Sequence, residues 1–434
     1  MQIITFLKVI YVNCLPFQKV MCIFVAVNIH RINMEQNDIL PLINIYHRRL
    51  ATTNLNFKRF LHEKINWNVR LLGIKGPRGA GKTTLILQHI KETFSNPDDT
   101  IWVSLDNLWF QNNSLSELIE YLYSHGVSTI FLDEVHKYKG WAQLLKNVYD
   151  SCPDLNIVYT GSSILEIDNS KIDLSRRQSL YTLPEMSFRE YIGLVCNIHV
   201  PVVTLEELLG NHVKIAMEIT SKMKILKHFD DYLEHGCYPF FIETQEDFLM
   251  RLAATATLAI ESDMPAVENV TYATVEKTKR LLAIIAQNVP LVPNVNKLSN
   301  ALSSTRDVCI KMLYTLDKAH ILSLLTRELK SYKHLVTPEK IFLANTNLMT
   351  AFATPVNEGN RRETFFNNQM QQVSQVQSAV KGDFLVNEKY LFEVGGTYKT
   401  YEQIKDEPNS YLAIDNMEIG VGNKIPLWML GLLY

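Results

Sequence analysis

The 434-residue sequence predicts an α/β fold: a doubly wound parallel sheet, then a helical region, then a second and smaller α/β piece. Three observations predict it. Between residues 71 and 163 short apolar runs alternate with helically spaced apolar residues, the pattern of a parallel sheet with helical crossovers. A glycine-rich stretch, GPRGAGKT at 76–83, separates the first apolar run from the first helical pattern. Beyond about residue 185 the strand pattern stops and helical patterns succeed one another.

In chain order, 71–75 is a strand that leads into the glycine-rich loop, and 82–94 is a helix by the spacing of Leu85, Ile86, Ile90 and Phe94. Residues 101–105 make a second strand and 115–124 a second helix. Residues 129–132 are a β-branched, aromatic strand that ends in Asp133-Glu134. A third helix at 141–149 precedes a fourth strand at 156–160, which ends in Gly161-Ser162-Ser163. The units are short and tightly connected, so one doubly wound domain is expected. Further helices are expected at 188–194, 205–209, 212–234 and 248–260. A trio at 275–287, 295–302 and 305–319, with strands at 321–325 and 340–344, reads as a winged-helix-like module. Past residue 348 a helix at 361–371 and strands at 382–386, 391–394 and 411–414 form the last α/β piece. The expected division is 1–33, 34–200, 201–345 and 346–434.

The first 33 residues are apolar and mildly basic, but Lys8, Pro16 and Lys19 break them into runs well short of the roughly 18–20 apolar residues of a spanning helix. They also lack a clean small-residue cleavage site. We expect an N-terminal extension there, or a chain that truly begins at Met34, and no membrane segment. The formal net charge of −2 excludes a generally basic nucleic-acid coat. Six scattered cysteines with no CxxC argue against a zinc site or a disulfide framework and fit a cytoplasmic protein.

GPRGAGKT matches G-x-x-x-x-G-K-[ST] between a strand and a helix, so the expected fold is a P-loop NTPase. Its glycines let successive backbone N–H groups wrap around phosphates. The residues concerned are Gly76, Pro77, Arg78, Gly79, Ala80, Gly81, Lys82, Thr83 and Thr84, of which the proline has no N–H to give. The expected ligands are ATP and Mg²⁺. Lys82 should neutralise the β- and γ-phosphates, Thr83 should coordinate Mg²⁺, and Asp133 is expected to partner the metal through water. Glu134, next in line, is the candidate base that polarises the attacking water. An apolar run ending in Asp-Glu is a weak motif alone, but about fifty residues after the loop it is strong support. In an additional-strand sheet the strand at 156–160 lies between the loop strand and the Asp133 strand. Ser162, then Ser163, could therefore read the γ-phosphate, or else this serine pair merely caps the next segment. Arg176 and Arg177 are candidates for an arginine finger acting on a neighbouring subunit, or for solvated surface charge. His136 and Lys137 read as loop residues, and Tyr238-Pro239 as core.

With these residues in place the chain resembles a prokaryotic family of AAA-type ATPases in which a helical and winged-helix region and a C-terminal domain of the DUF4143 type follow the ATPase domain. The resemblance covers essentially everything after Met34, and its carriers are GPRGAGKTTL, TIFLDEVHKYKGWAQLLKNVYD, IVYTGSS, DLSRRQSLYTLPEMSFREYI, YLEHGCYPFF and PEKIFLANTNL. The resemblance implies Arg176 as the counterpart of the family's arginine after the sensor strand. Similar C-terminal domains look like restriction-endonuclease cores, and Glu363, Asp383, Glu393 and Gln403 fall in the matching order. Gly395 stands where that pattern needs a lysine, however, and Lys399 would have to reach back through an unusual turn. A degenerate nuclease fold used for binding or packing is therefore expected.

Two function classes remain: an ATP-driven switch or motor, active as a homo-oligomer on a protein or DNA client, or an ATP-controlled DNA-binding regulator or nuclease. The second would use the helix at 305–319, whose Arg306, Lys311 and Lys318 are offset by Asp307 and Asp317. A transporter is disfavoured by the lack of an LSGGQ signature, and a metabolic kinase by the lack of an acceptor site beside Asp133-Glu134.

Overall fold

Five parallel strands carry the N-terminal half: β1 (Leu71–Gly76), β2 (Thr100–Ser104), β3 (Thr129–Asp133), β4 (Asn156–Ser162) and β5 (Ser179–Thr182). They are ordered β2-β3-β4-β1-β5 in this computed structural model, which describes residues 34–163, 174, 176–243, 245–267, 270–327, 337–353 and 355–434. The expected extension at 1–33 lies outside the described residues. β4 does lie between β1 and β3, and the register sets Gly76 opposite Ser162. The C-terminal tips of these three strands thus open on one crevice, where ligands of parallel sheets bind.

Burial explains which strands are legible in the sequence. β3 is buried at every position and β1 at all but Lys75, as expected of strands covered on both faces. The edge strand β5 is only half-buried along most of its length, so it lacks the apolar run that marks the others. Sequence periodicity gives four strands and misses this fifth one.

Helices α1 (Gln36–Thr52), α2 (Lys82–Thr93), α3 (Leu115–Ser124) and α4 (Trp141–Ser151) complete the first half. α1 buries Ile39, Leu42 and Tyr46, and the Tyr46 hydroxyl shares a 2.7 Å hydrogen bond with Thr100 at the start of β2. On α2, His89 stacks on Trp67 at 3.7 Å with nearly parallel rings. Burial, and His62 nearby, push the His89 imidazole down to about 4. An imidazole kept neutral in the fold binds fewer protons than the unfolded chain between about pH 6.5 and 4. Its contribution is therefore intact above pH 6.5 and lost as pH falls through that window. A His89→Gln variant should show a shallower loss of denaturation midpoint between pH 7 and 4 than the wild type.

Helices α5 (Phe188–Cys196), α6 (Leu205–Thr220), α7 (Ile225–His235) and α8 (Phe248–Leu258) come after β5. α5 opens with a capping box between Ser187 and Glu190. α8 runs into a π-helical turn, Ala259–Asp263. Next come α9 (Tyr272–Ala286), α10 (Val295–Ala301) and α11 (Arg306–Lys318), then an antiparallel pair, β6 (Leu322–Leu325) and β7 (Lys340–Leu343). Leu291 bridges to Ile341 beside that pair. α12 (Thr346–Phe352) and α13 (Glu358–Gln371) lead to a second sheet. Its strands are β8 (Val376–Ser378), β9 (Phe384–Val386), β10 (Tyr390–Gly395), β11 (Ser410–Ile414) and β12 (Lys424–Pro426), in the order β12-β11-β10-β9-β8. It is mixed: antiparallel from β8 to β10 and parallel from β10 to β12. β8 and β12, the two edge strands, escape detection in the sequence.

One hydrophobic core spans Ile39 to Leu183, around the parallel sheet. A second takes residues from Met186 to Leu433, so the helical region and one face of the mixed sheet share their apolar interior, and a small third cluster of Leu391, Ile404, Leu412 and Ile414 lies elsewhere on that sheet. No helix among the described residues is long and apolar enough to cross a membrane.

Candidate functional site at the tips of the parallel strands

The loop after β1 turns on two left-handed glycines, Gly79 at φ 81° and Gly81 at φ 95°, the second being the N-cap of α2. A Cβ at Gly79 would sit 2.7 Å from the Phe240 ring, and one at Gly76 would collide with the Leu183 carbonyl. The loop is thus shaped by close approach as well as by φ. Arg59, ahead of the sheet, holds it from behind. Its guanidinium donates to the carbonyls of Ala80, Pro184 (2.9 Å) and Glu185 (3.1 Å) and forks onto Glu190 at 2.9 and 3.1 Å.

Lys82 is buried and donates to the carbonyls of Gly76 (2.8 Å) and Pro77 (2.9 Å). Burial pushes its ammonium below the usual lysine range, against the pull of Glu134 and Asp133. The Thr83 hydroxyl donates to Asp133 Oδ2 at 2.7 Å. The Thr160 hydroxyl donates to Asp133 Oδ1 and accepts the Glu134 N–H at 3.2 Å. Burial, then repulsion from Glu134, push the Asp133 carboxyl up to about 6 in spite of these two hydroxyls.

Glu134 takes a left-handed backbone, φ 54°, which turns its side chain away from the line of β3. Its Oε2 lies 3.3 Å from His136 Nδ1, yet receives no hydrogen bond. The Ser163 hydroxyl is likewise buried without a hydrogen-bond partner among the described residues. Unpartnered buried polar atoms are costly in a folded chain and frequently mark places that a ligand or water completes.

The structure therefore brings the loop of 76–84, Asp133, Glu134, Ser162 and Ser163 to one crevice. Arg177 is turned elsewhere, forked onto Asp150 of α4 at 2.9 and 3.1 Å. Arg176 is exposed on the segment before β5, and most of the stretch between Ser163 and it lies outside the described residues.

Three participants carry no mark that sequence reading detects. Thr160 grips Asp133 but reads only as the start of a serine-rich tip. Arg59 has no motif around it. Asp263, at the end of the π-turn, is wholly buried and accepts from Arg78 at 2.7 Å through both Nε and Nη2. It also meets Lys137 at 2.8 Å and His136 Nε2 at 3.1 Å. Burial alone would raise the Asp263 carboxyl, but the hydrogen bonds of Arg78 and His136 hold it well below the usual carboxylate range. His136 and Lys137 are thus structural partners of the helical region rather than plain loop residues. The only signal in the sequence is their adjacency to Asp133-Glu134.

A phosphate loop on a parallel sheet, with β4 inserted between the loop strand and the acidic strand, defines an AAA-type P-loop domain. Residues 68–192 match the family model described as an AAA domain. The chain is 28% identical over 295 residues to an uncharacterized protein of Methanocaldococcus jannaschii, covering 63% of this chain and 62% of that one. It thus spans less than two thirds of the curated relative it matches. Among solved structures it is similar to AMPPCP-bound DnaA from Aquifex aeolicus (14% identity, TM-score 0.26, 59% of this chain and 84% of the other). It is also similar to a katanin structure described for its self-assembly (16% identity, TM-score 0.25, 65% and 91%). At these scores the assignment rests on the strand order and the matched domain.

At the second sheet, Glu363 on α13 pairs with Lys340 of β7 at 3.2 Å, and Asp383 accepts the Val394 N–H at 2.8 Å. The stem of Lys399 lies where a Gly395 side chain would be, and its ammonium pairs with Glu393. The unusual turn that would bring Lys399 back does form, closed by the Lys399 N–H on the Gly396 carbonyl at 2.9 Å. It needs glycine at 395, because a Cβ there would sit 2.6 Å from Lys399 Cγ. Burial, then repulsion from Asp383, raise the Glu363 carboxyl, so these acids are neighbours. Gln403 is exposed in the turn after β10. Among the described residues no group of three His, Cys, Asp or Glu side chains is arranged to hold a metal ion.

Proposed function

We propose that the chain binds ATP with Mg²⁺ at the tips of β1, β3 and β4, hydrolyses it, and couples turnover to movement of the helical region on a protein or nucleic-acid client. The observation that carries this reading is the 2.7 Å contact between the Thr83 hydroxyl and the Asp133 carboxylate, directly after a loop built on two left-handed glycines. A hydroxyl and a carboxylate brought together are the oxygen donors a divalent cation takes, and the carboxylate's neighbour supplies the base.

Thr83 and Asp133 would hold Mg²⁺, which would supply positive charge to the phosphate tail when bound. Lys82, whose ammonium now rests on the carbonyls of its own loop, is within one side chain's swing of the phosphates that would replace them. The N–H groups of the loop orient the phosphate tail. Glu134, with an oxygen lacking a donor, would orient the attacking water and accept its proton. Ser162, facing Gly76 in register, would read the γ-phosphate. Arg176, exposed, would reach a neighbouring copy as a finger, which makes a homo-oligomer the active form. Turnover measured across protein concentration tests this. Specific activity that rises with concentration, and that Arg176→Ala removes, supports a finger in trans; a wild type with no Mg²⁺-dependent hydrolysis at any concentration sinks the reading.

The three helices α9–α11 and the β6–β7 pair support a winged-helix module. Its continuity with the core of the helical region favours packing over DNA contact. A second reading, nuclease action by the mixed sheet, is favoured by one observation: Lys399 stands over Gly395 as a displaced lysine beside Glu393. The same ion pair occupies the carboxylate a metal would need, so we expect a binding or packing domain. With Mg²⁺ or Mn²⁺ the full chain should nick supercoiled plasmid no faster than the Asp383→Asn/Glu393→Gln double variant. Nicking that the double variant loses would install the nuclease instead.

A further inference from the structure

The buried carboxylate of Asp263 belongs to the helical region, yet the donors around it, Arg78, His136 and Lys137, all come from the lips of the phosphate site. It sits at the end of a π-turn, Ala259–Asp263, an irregularity that places a side chain off the regular helical row. Arg78 belongs to the phosphate loop itself, and His136 and Lys137 lie two and three residues past Glu134. Lys137 adds a 2.7 Å bond to Ser262, so two consecutive residues of the turn are engaged.

The His136 ring makes this more than a structural clasp. It is wholly buried as a side chain. Nε2 points at Asp263 Oδ1, a carboxylate that can only accept, so that nitrogen holds a proton. The opposite nitrogen, Nδ1, faces Glu134 Oε2 at 3.3 Å and accepts the Ser162 N–H at 3.4 Å. One imidazole thus touches the candidate base and the candidate γ-phosphate reader, and its orientation is set from the helical region.

We propose that Asp263 and His136 are positioning residues that link the helical region to ATP turnover: Asp263 aims the His136 ring, and the ring holds the Ser162 backbone beside Glu134. The inference rests on the ATPase reading above. When the helical region is docked, the β3 and β4 tips are held in register for reaction. When Asp263 withdraws, the ring loses its anchor, and the Ser162 N–H loses its acceptor. The same displacement would release Arg78 and Lys137, which share the Asp263 carboxylate.

The test uses the full chain and three variants: Asp263→Asn, His136→Gln and the two combined. In apo protein labelled with ¹⁵N at histidine, the wild-type His136 ring should carry its proton on Nε2, and Asp263→Asn should redistribute it between the two nitrogens. In ATP turnover, Asp263→Asn should lower kcat about 10- to 100-fold while the affinity for a fluorescent ATP analogue changes less than about 3-fold, as for an interaction felt only in the transition state. In the His136→Gln background the same substitution should add little, because both act through one ring. A full additional loss there overturns the relay and leaves Asp263 a mere clasp. So does an unchanged ring spectrum. If Asp263→Asn does not fold, His136→Asn breaks the same contact from the other side; it must lower kcat at constant affinity, and full turnover overturns the proposal. A wild type without hydrolysis fails the ATPase reading and the catalytic half of this one, and is recognised before any variant is compared; the ring spectrum then judges the aiming of His136 alone.

Discussion

Glu134→Gln should still bind nucleotide and lose Mg²⁺-dependent hydrolysis by about 10²- to 10⁴-fold, the usual contribution of a positioned general base. The substitution keeps the shape of the side chain and removes only its charge and basicity. Its Oε2 now receives no hydrogen bond, so the amide breaks no existing bond to that oxygen. The contrast is Lys82→Ala. Lys82 lies wholly within the loop and bonds two of its carbonyls, so its removal takes away the charge that meets the phosphates and loosens the loop at once. Binding and turnover should then fall together. Titration with a fluorescent ATP analogue beside a phosphate-release assay separates the two cases. Equal loss of affinity in both variants would place Glu134 in binding rather than in chemistry.

Arg59→Met should destabilise the apo protein by about 3–5 kcal/mol, the range expected when one partner of a buried ion pair is removed. Both partners are nearly inaccessible, with side chains 4% and 2% exposed. The Glu190 carboxylate would lose its fork and keep only the backbone N–H groups of Phe60 (2.7 Å) and Ser187 (3.1 Å). The carbonyls of Pro184 and Glu185 would lose a donor. The Ala80 carbonyl lies in the phosphate loop, so nucleotide affinity should drop as well. Chemical denaturation of the two proteins measures the first effect. A loss below about 1 kcal/mol would mean that the pair contributes no more than an exposed one. Replacing both members, Arg59→Met with Glu190→Gln, should recover part of the loss, since the unpaired charge is then gone.

Legibility tracks burial. The strands of the first sheet that are covered on both faces, β1 and β3, are plain from their apolar runs, and the loop between β1 and α2 from its glycines and Lys82-Thr83. The half-buried edge strand β5 is not, and neither are β8 and β12 at the edges of the second sheet. At the site, the residues whose chemistry depends on backbone neighbours can be read in order along the chain. Thr160 is easily overlooked because its role comes from β4 lying against β3, a pairing that turns a plain strand residue into a donor for Asp133.

The sequence by itself determined the class of sheet, the phosphate loop and the acidic pair, since each depends on residues within one strand-turn-helix unit. A left-handed glycine, a helix N-terminus and a buried strand end need only local backbone preferences and local burial. Only the tertiary structure decided what grips that unit from a distance. Arg59 meets Glu190 across 131 positions, and Arg78 meets Asp263 across 185. A lone arginine or aspartate has no local signature, and its meaning is set when packing removes it from water and leaves it one partner. The same is true of Lys399, whose place over Gly395 depends on a turn that a missing side chain makes room for. Local chemistry is written along the chain, whereas the pairing of buried charges is an outcome of how the two cores dock.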